Sequence, residues 1–310
     1  MQRIPSRAQW LRRLASRRKD TVGFVFSGGG PLGALQVGAV KALFDHDIRP
    51  DLAVGTSVGA MNATWVAFDP SAAGIDRLES IWRDMKDNDL FPGGGRLKAS
   101  WARMLVKGNR IFDNTGVRRV VESTLGRPRF EDAQIPLGIT ATDLETGMEN
   151  LFTSGDVLDP ILGSTAMPGI FPPVPIEGRN YIDGGVANNV PIAPATQMGA
   201  RTIYVMDATS HTRQRRPLNR PIDYLLHAFS LARAQRFVLE RNVYADKVKL
   251  IVLPAVGLDF YVPFASLEHT ATLIDKAYEE TSEFLAGLGH VSPQVTETDT
   301  APIEVITPAN

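Results

Sequence analysis

No cysteine occurs among the 310 residues. That excludes a disulfide framework, a thiolate zinc site, an iron–sulfur cluster and a cysteine nucleophile, yet it fits either redox compartment. Histidine is scarce, with five in all: His46, His211, His227, His269 and His290. No run approaches the roughly 18 apolar residues of a membrane span, and the first 20 residues lack the apolar core of a secretory signal. Net charge is missing too. Lys+Arg 33 against Asp+Glu 34 leaves −1, which argues against a dedicated nucleic-acid binder. What is present suits a folded core, with 44% hydrophobic and 22% charged residues.

The near-zero charge conceals an uneven distribution. Residues 1–20 carry seven bases against Asp20, a net +6, and the remaining 290 residues carry a net −7. Within this arm, Trp10, Leu11 and Leu14 share one helical face with arginines around them. Two readings stand: a short interfacial helix on an anionic membrane surface, or a solvated extension. The expected setting is cytoplasmic, with any lipid contact peripheral.

The run 21–27, TVGFVFS, is apolar, β-branched and ends in glycines, which predicts a buried strand. A helix over 31–46, a strand over 51–56 and a helix over 58–68 complete a βαβ unit, so the two strands should be parallel. Residues 71–134 read as mainly helical, interrupted by the loop 91–98. Strands follow at 135–142 and near 149–153, and a helix-and-loop stretch then leads into NYIDGGVANNVP. A strand over 202–209, a basic loop over 211–220, a helix over 221–243, a strand over 248–254 and a helix over 266–287 close the body. The alternation predicts one large α/β domain over 21–290, followed by a polar tail over 291–310.

Two glycine motifs carry the chemistry. Gly55-Thr56-Ser57-Val58-Gly59 fits G-x-S-x-G between a predicted strand and helix, the context of a nucleophile elbow. A small-residue turn can match the same pattern by chance. Ser27 to Gly33, SGGGPLG, also fits G-x-G-x-x-G (Gly28, Gly30, Gly33), the dinucleotide fingerprint. That fingerprint expects an acid at the end of the second strand, and the chain has Gly55-Thr56-Ser57 there. The same loop can serve as an oxyanion hole, because amides at a helix start favour negative charge. For the base that a serine needs, His211, His227, His269 and His290 qualify by chain order, and Asp183 in Tyr181-Ile182-Asp183-Gly184-Gly185 is the alternative.

Taken together, these residues resemble a bacterial patatin-like phospholipase. Four blocks occur in the family's order: SGGGPLGALQVGAV, VGTSVGAMNA, TATDLETGMENLF and STAMPGIFPPVPIEGRNYIDGGVANNVP. They cover roughly residues 21–210; the part over 211–290 matches loosely and the arm not at all. The resemblance implies a three-layer α/β/α sandwich with a mainly parallel central sheet. It further implies a lipid acyl hydrolase with a Ser57–Asp183 dyad, an oxyanion hole of Gly28, Gly29 and Gly30, and elbow glycines Gly55 and Gly59. No metal, cofactor or catalytic histidine is expected. The chain departs from the family at Leu32, where a basic residue is common, which puts a preference for charged phospholipids in doubt. Asp183-Gly184-Gly185 in place of Asp-Gly-Ala is a minor variation. A dinucleotide binder and a non-catalytic lipid-binding member of the fold are the competing readings. Phe91, Pro92, Trp101, Met104 and Leu105 around the 91–98 loop, and Phe171 within Pro168–Pro175, read either as acyl-groove lining or as ordinary packing.

Overall fold

Alternate residues of the central strands enter two separate apolar cores, which is the period-2 signature of a sheet covered on both faces. In β1 (Val22–Phe26), Phe24 and Phe26 join one core and Val25 the other. In β2 (Leu52–Thr56), Ala53 faces the first core and Leu52 and Val54 the second. The chain is described here from a computed structural model over residues 20–92, 112–209 and 221–288. Residues 1–19 of the basic arm, Trp101, Met104, Leu105, the loop 211–220 and the tail 291–310 lie outside the described residues.

The first core is covered by α1 (Gly33–Asp45), α2 (Val58–Phe68), α3 (Ala72–Asp84), α4 (Asp87–Leu90), α5 (Thr115–Leu125), α6 (Leu158–Ser164) and the late α9 (Thr270–Leu288). The second core is covered by α7 (Ile192–Gln197) and α8 (Pro221–Tyr244). The architecture is therefore helix, sheet, helix. Within the predicted helical stretch 71–134, α5 ends at Gly126 (φ +74°) and Pro128, and the described residues after it hold only a 3-10 turn at Phe130–Asp132.

β1 pairs in parallel with β2 and with β7 (Thr202–Met206), which pairs in parallel with β8 (Lys249–Val252). β2 pairs in parallel with β3 (Leu137–Asp143). Antiparallel strands complete the sheet: β4 (Glu149–Phe152) on β3, β6 (Arg179–Asp183) on β3, and β5 (Val174–Ile176) on β6. The β5–β6 hairpin is absent from the sequence expectation because Pro173 and Pro175 obscure β5. Pro175 is tolerated because β5 pairs with β6 alone and its other edge needs no donor.

The pairing of β3 controls the site. Ile139 and Thr140 pair with both β2 and β4, whereas Ala141 and Thr142 pair with both β6 and β4. A strand has two edges, so β4 takes one of them. β2 and β6 share the other and run toward each other. Thr56 stands opposite Thr140 and Asp183 opposite Ala141, so the two strand ends meet one register step apart.

Candidate active site

In the parallel β1–β2 pair, Phe26 stands opposite Gly55, so the segments after both strands leave the sheet side by side. The turn out of β2 holds Ser57 at φ +56°, ψ −129°. For a residue with a side chain such a conformation costs about 1–3 kcal/mol and must be held by its surroundings. The flanking glycines are a steric requirement. A Cβ on Gly55 would collide with the Gly59 carbonyl, and one on Gly59 with the Phe26 and Ser27 carbonyls. The Ser57 N–H donates to Ser164 Oγ (2.7 Å), and that hydroxyl donates to the Thr140 carbonyl (2.6 Å).

Where β2 and β6 meet, Ser57 Oγ donates to Asp183 Oδ2 at 2.7 Å. The other carboxylate oxygen, Oδ1, accepts the Gly185 N–H at 2.8 Å. Asp183 is 5% exposed. Burial pushes its pKa above the usual carboxylate value of 3.8, against the Ser57 hydroxyl, the Gly185 amide and the nearby Arg233 guanidinium, which favour the charged form.

The glycine loop runs alongside. Gly30 sits at φ +57°, a left-handed conformation that glycine adopts without cost. Buried polar side chains anchor the loop. Gln36 Nε2 donates to the Ser27 carbonyl (2.8 Å), Asn62 Nδ2 donates to Gln36 Oε1 (2.8 Å), and Trp82 Nε1 donates to Asn62 Oδ1 (2.8 Å). Asn189 closes the other side. Its carbonyl accepts the Gly28 N–H (3.1 Å), while its Nδ2 donates to the Gly28 carbonyl (3.2 Å). Of the three amides expected to receive an oxyanion, the Gly28 N–H is thus committed to backbone pairing. Gly29 and Gly30 line the cavity instead.

That cavity is also lined by Ser57, Asp183 and Arg233, and by an apolar set that includes Met61, Leu90, Phe91, Val117, Phe171 and Phe264. Phe91 stacks on Phe171 (ring centroids 6.0 Å apart) and tilts against Phe264 (5.6 Å), so both Phe91 and Phe171 are packed core and cavity wall at once. The described histidines are elsewhere. His46 ends α1, His227 is exposed on α8, and His269 packs on Phe260 (4.3 Å); none lines the cavity. His211 and His290 lie outside the described residues.

Several residues of this arrangement had no place in the sequence reading, Ser164, Asn189 and Arg233 among them. Ser164 and Asn189 lie inside the recognised blocks, where their pairing with Ser57 and Gly28 carries no linear signature. Arg233 lies on α8, in a stretch without any motif. Among the described residues, no helix is long and apolar enough to cross a membrane.

A family model described as patatin-like phospholipase matches residues 24–196. A lysophospholipase NTE1 from Mycosarcoma maydis is 29% identical over 215 residues, covering 66% of this chain and 11% of that protein. The patatin-like phospholipase domain-containing protein 6 of Homo sapiens is 25% identical over 233 residues, covering 74% of this chain and 16% of that protein. The chain thus spans less than a fifth of the length of these relatives. A crystal structure of VipD from Legionella pneumophila aligns at a TM-score of 0.45 and 15% identity, covering 86% of this chain and 67% of that one. Because the family model spans more than half of the sequence, the chain belongs to the patatin-like phospholipase family.

Proposed function

We propose that the chain is a lipid acyl hydrolase that cleaves carboxylic esters through Ser57 as nucleophile and Asp183 as base. The observation that carries this reading is the 2.7 Å hydrogen bond from Ser57 Oγ to Asp183 Oδ2 beside a largely apolar cavity that both residues line. Family membership, and relatives named as phospholipases and lysophospholipases, support a lipid ester as substrate.

In this mechanism Asp183 accepts the hydroxyl proton as Oγ attacks the ester carbonyl carbon. A carboxylate whose pKa is raised by burial is a stronger base than an exposed one. The amides of Gly29 and Gly30 stabilise the tetrahedral oxyanion, and removing one such donor costs roughly 3–4 kcal/mol in other enzymes. Gly28 contributes shape, through its two hydrogen bonds with Asn189. Collapse breaks the ester C–O bond, and the leaving alcohol takes the proton from Asp183. Water, deprotonated by Asp183, then attacks the acyl-Ser57 carbonyl; the C–Oγ bond breaks, Oγ takes the proton back from Asp183, and the fatty acid leaves. The fixed Ser57 backbone and its Ser164 tether keep Oγ aligned between turnovers.

Ser57→Ala is expected to abolish hydrolysis of a p-nitrophenyl acyl ester while the far-UV circular dichroism stays unchanged; wild-type turnover in that variant refutes the mechanism. Near-normal activity in Asp183→Asn would move the role of base to another residue. For the arm over 1–20 we propose peripheral contact with anionic membrane, each base near the surface contributing about 1 kcal/mol. Equal liposome co-sedimentation with and without the arm would refute it.

A further inference from the structure

Leu32 gives the glycine loop no cation, but the cavity acquires one from the other end of the chain. Arg233 on α8 lines the cavity with Ser57 and Asp183, and it lies beyond the residues matched by the family model. Among the described lining residues it is the only side chain with a positive charge. Its Nη1 donates to Asn189 Oδ1 (3.1 Å), and its guanidinium carbon lies 4.8 Å from the Phe229 ring centroid. Its Nε is buried and has no partner among the described residues. Gly185 leaves room for this approach, since a Cβ there would come within 3.3 Å of Nη1.

An arginine stays charged even in such surroundings, and a buried unpaired N–H is costly unless an acceptor arrives. The Asp183 and Asp207 carboxylates attract the guanidinium, but no described group accepts from its Nε. A planar set of N–H donors beside a nucleophile fits a phosphate, whose oxygens take several such bonds at once. The stacked Phe91 and Phe171 with Phe264 offer an apolar chain a separate lining.

We infer that Arg233 selects the substrate: it receives the phosphate of a phosphate-bearing acylglycerol whose ester lies at Ser57. The inference rests on the lipid-hydrolase reading. It is tested by binding, so that it does not depend on turnover. On Ser57→Ala protein, calorimetry compares three non-hydrolysable probes below their micelle concentrations: an eight-carbon ether of glycerol 3-phosphate, the same ether of glycerol, and glycerol 3-phosphate alone. The phosphate-bearing ether should bind roughly 10-fold or more tighter than the other two, as expected for charge-assisted hydrogen bonds. Adding Arg233→Gln should erase that preference, and Arg233→Lys should keep part of it. Equal affinity for the two ethers in Ser57→Ala overturns the inference whatever the variants do. So does a proportional weakening of both ethers in Arg233→Gln. Glycerol 3-phosphate binding as tightly as the phosphate-bearing ether would make this a free-phosphate site and overturn the lipid assignment. A retained phosphate preference in a protein that hydrolyses no acyl ester would refute the hydrolase reading alone.

Discussion

Glu149 on β4 is a carboxylate where the fold supplies little to stabilise charge, and its replacement by glutamine should stabilise the protein in a pH-dependent way. Burial pushes its pKa from 4.5 up to about 7. The Asn188 amide, donating to Oε2 at 3.3 Å, opposes the rise; Glu240 across the same amide adds to it, and Arg236 offsets it in part. The other oxygen, Oε1, is buried without a partner among the described residues. The folded state therefore holds a proton that the unfolded chain releases above pH 4.5. Folded-state protonation stabilises the protein fully below pH 4.5, and that contribution is lost as pH rises through about 7. At 1.36 kcal/mol per pKa unit the shift corresponds to about 3 kcal/mol. Glu149→Gln mimics the protonated side chain at every pH. Urea unfolding should give wild type and variant equal stability near pH 4.5, and a variant more stable by about 2–3 kcal/mol at pH 8. Thermal melts at pH 8 should shift upward by roughly 4 °C. A stability difference that is the same at both pH values would refute the reasoning.

Four further outcomes follow from the hydrogen bonds and charges of the site. Ser164→Ala removes the acceptor of the Ser57 N–H and the donor to the Thr140 carbonyl; fluorophosphonate labelling of Ser57 should slow roughly 10-fold, with about 1–2 kcal/mol of stability lost, and unchanged labelling would show that the tether does not align Oγ. Asn62→Leu strands the Trp82 indole N–H and deprives Gln36 Oε1 and the Gly33 carbonyl of their donor, so urea unfolding should register a loss of about 2–4 kcal/mol. A base acts only when deprotonated, so kcat/KM should fall as pH drops through a value above 3.8. Because the Arg233 charge favours ionised Asp183, Arg233→Gln should move that acidic limb to higher pH; a shift to lower pH would contradict the placement of the two charges.

Much of the parallel half of the sheet was legible because its signals are local. Apolar β-branched runs ending in glycine mark β1 and β2, and the helices between them follow at once, so Ser57 lies in the strand–turn–helix context that its pentapeptide predicts. The antiparallel half was less legible. β5 is three residues long with a proline inside it, and the Glu177–Gly178 turn, with φ of +49° and +79°, is a two-residue hairpin signal that the surrounding prolines mask. The juxtaposition of Asp183 with Ser57 depends on β6 entering the edge of β3 that β2 vacates, a long-range choice that no periodicity encodes. The Gly28–Asn189 backbone bond, which engages one of the three glycine amides expected to form a hole, has no local signal for the same reason, since its partners are 161 residues apart.

The neighbouring asparagines explain why α8 belongs to the site although the family match stops at residue 196. Asn189 faces the glycine loop, holding the Gly28 carbonyl with Nδ2 and accepting from Arg233 with Oδ1. Asn188 donates instead to Glu149 on β4 and to Glu240 on α8. Glu240 also accepts the Ala193 N–H at the start of α7 (2.8 Å), where a helix N-terminus favours a carboxylate. Two adjacent amides thus tie α8 to the sheet and to the surroundings of Ser57 at once, on a segment that begins three residues past Gly185. Because one loop carries Asp183, positions Gly28 and grips both Arg233 and Glu240, a change that loosens α8 acts on Asp183 and the glycine loop together. Residues of α8 therefore bear on the geometry of the proposed dyad even where they line no part of the cavity.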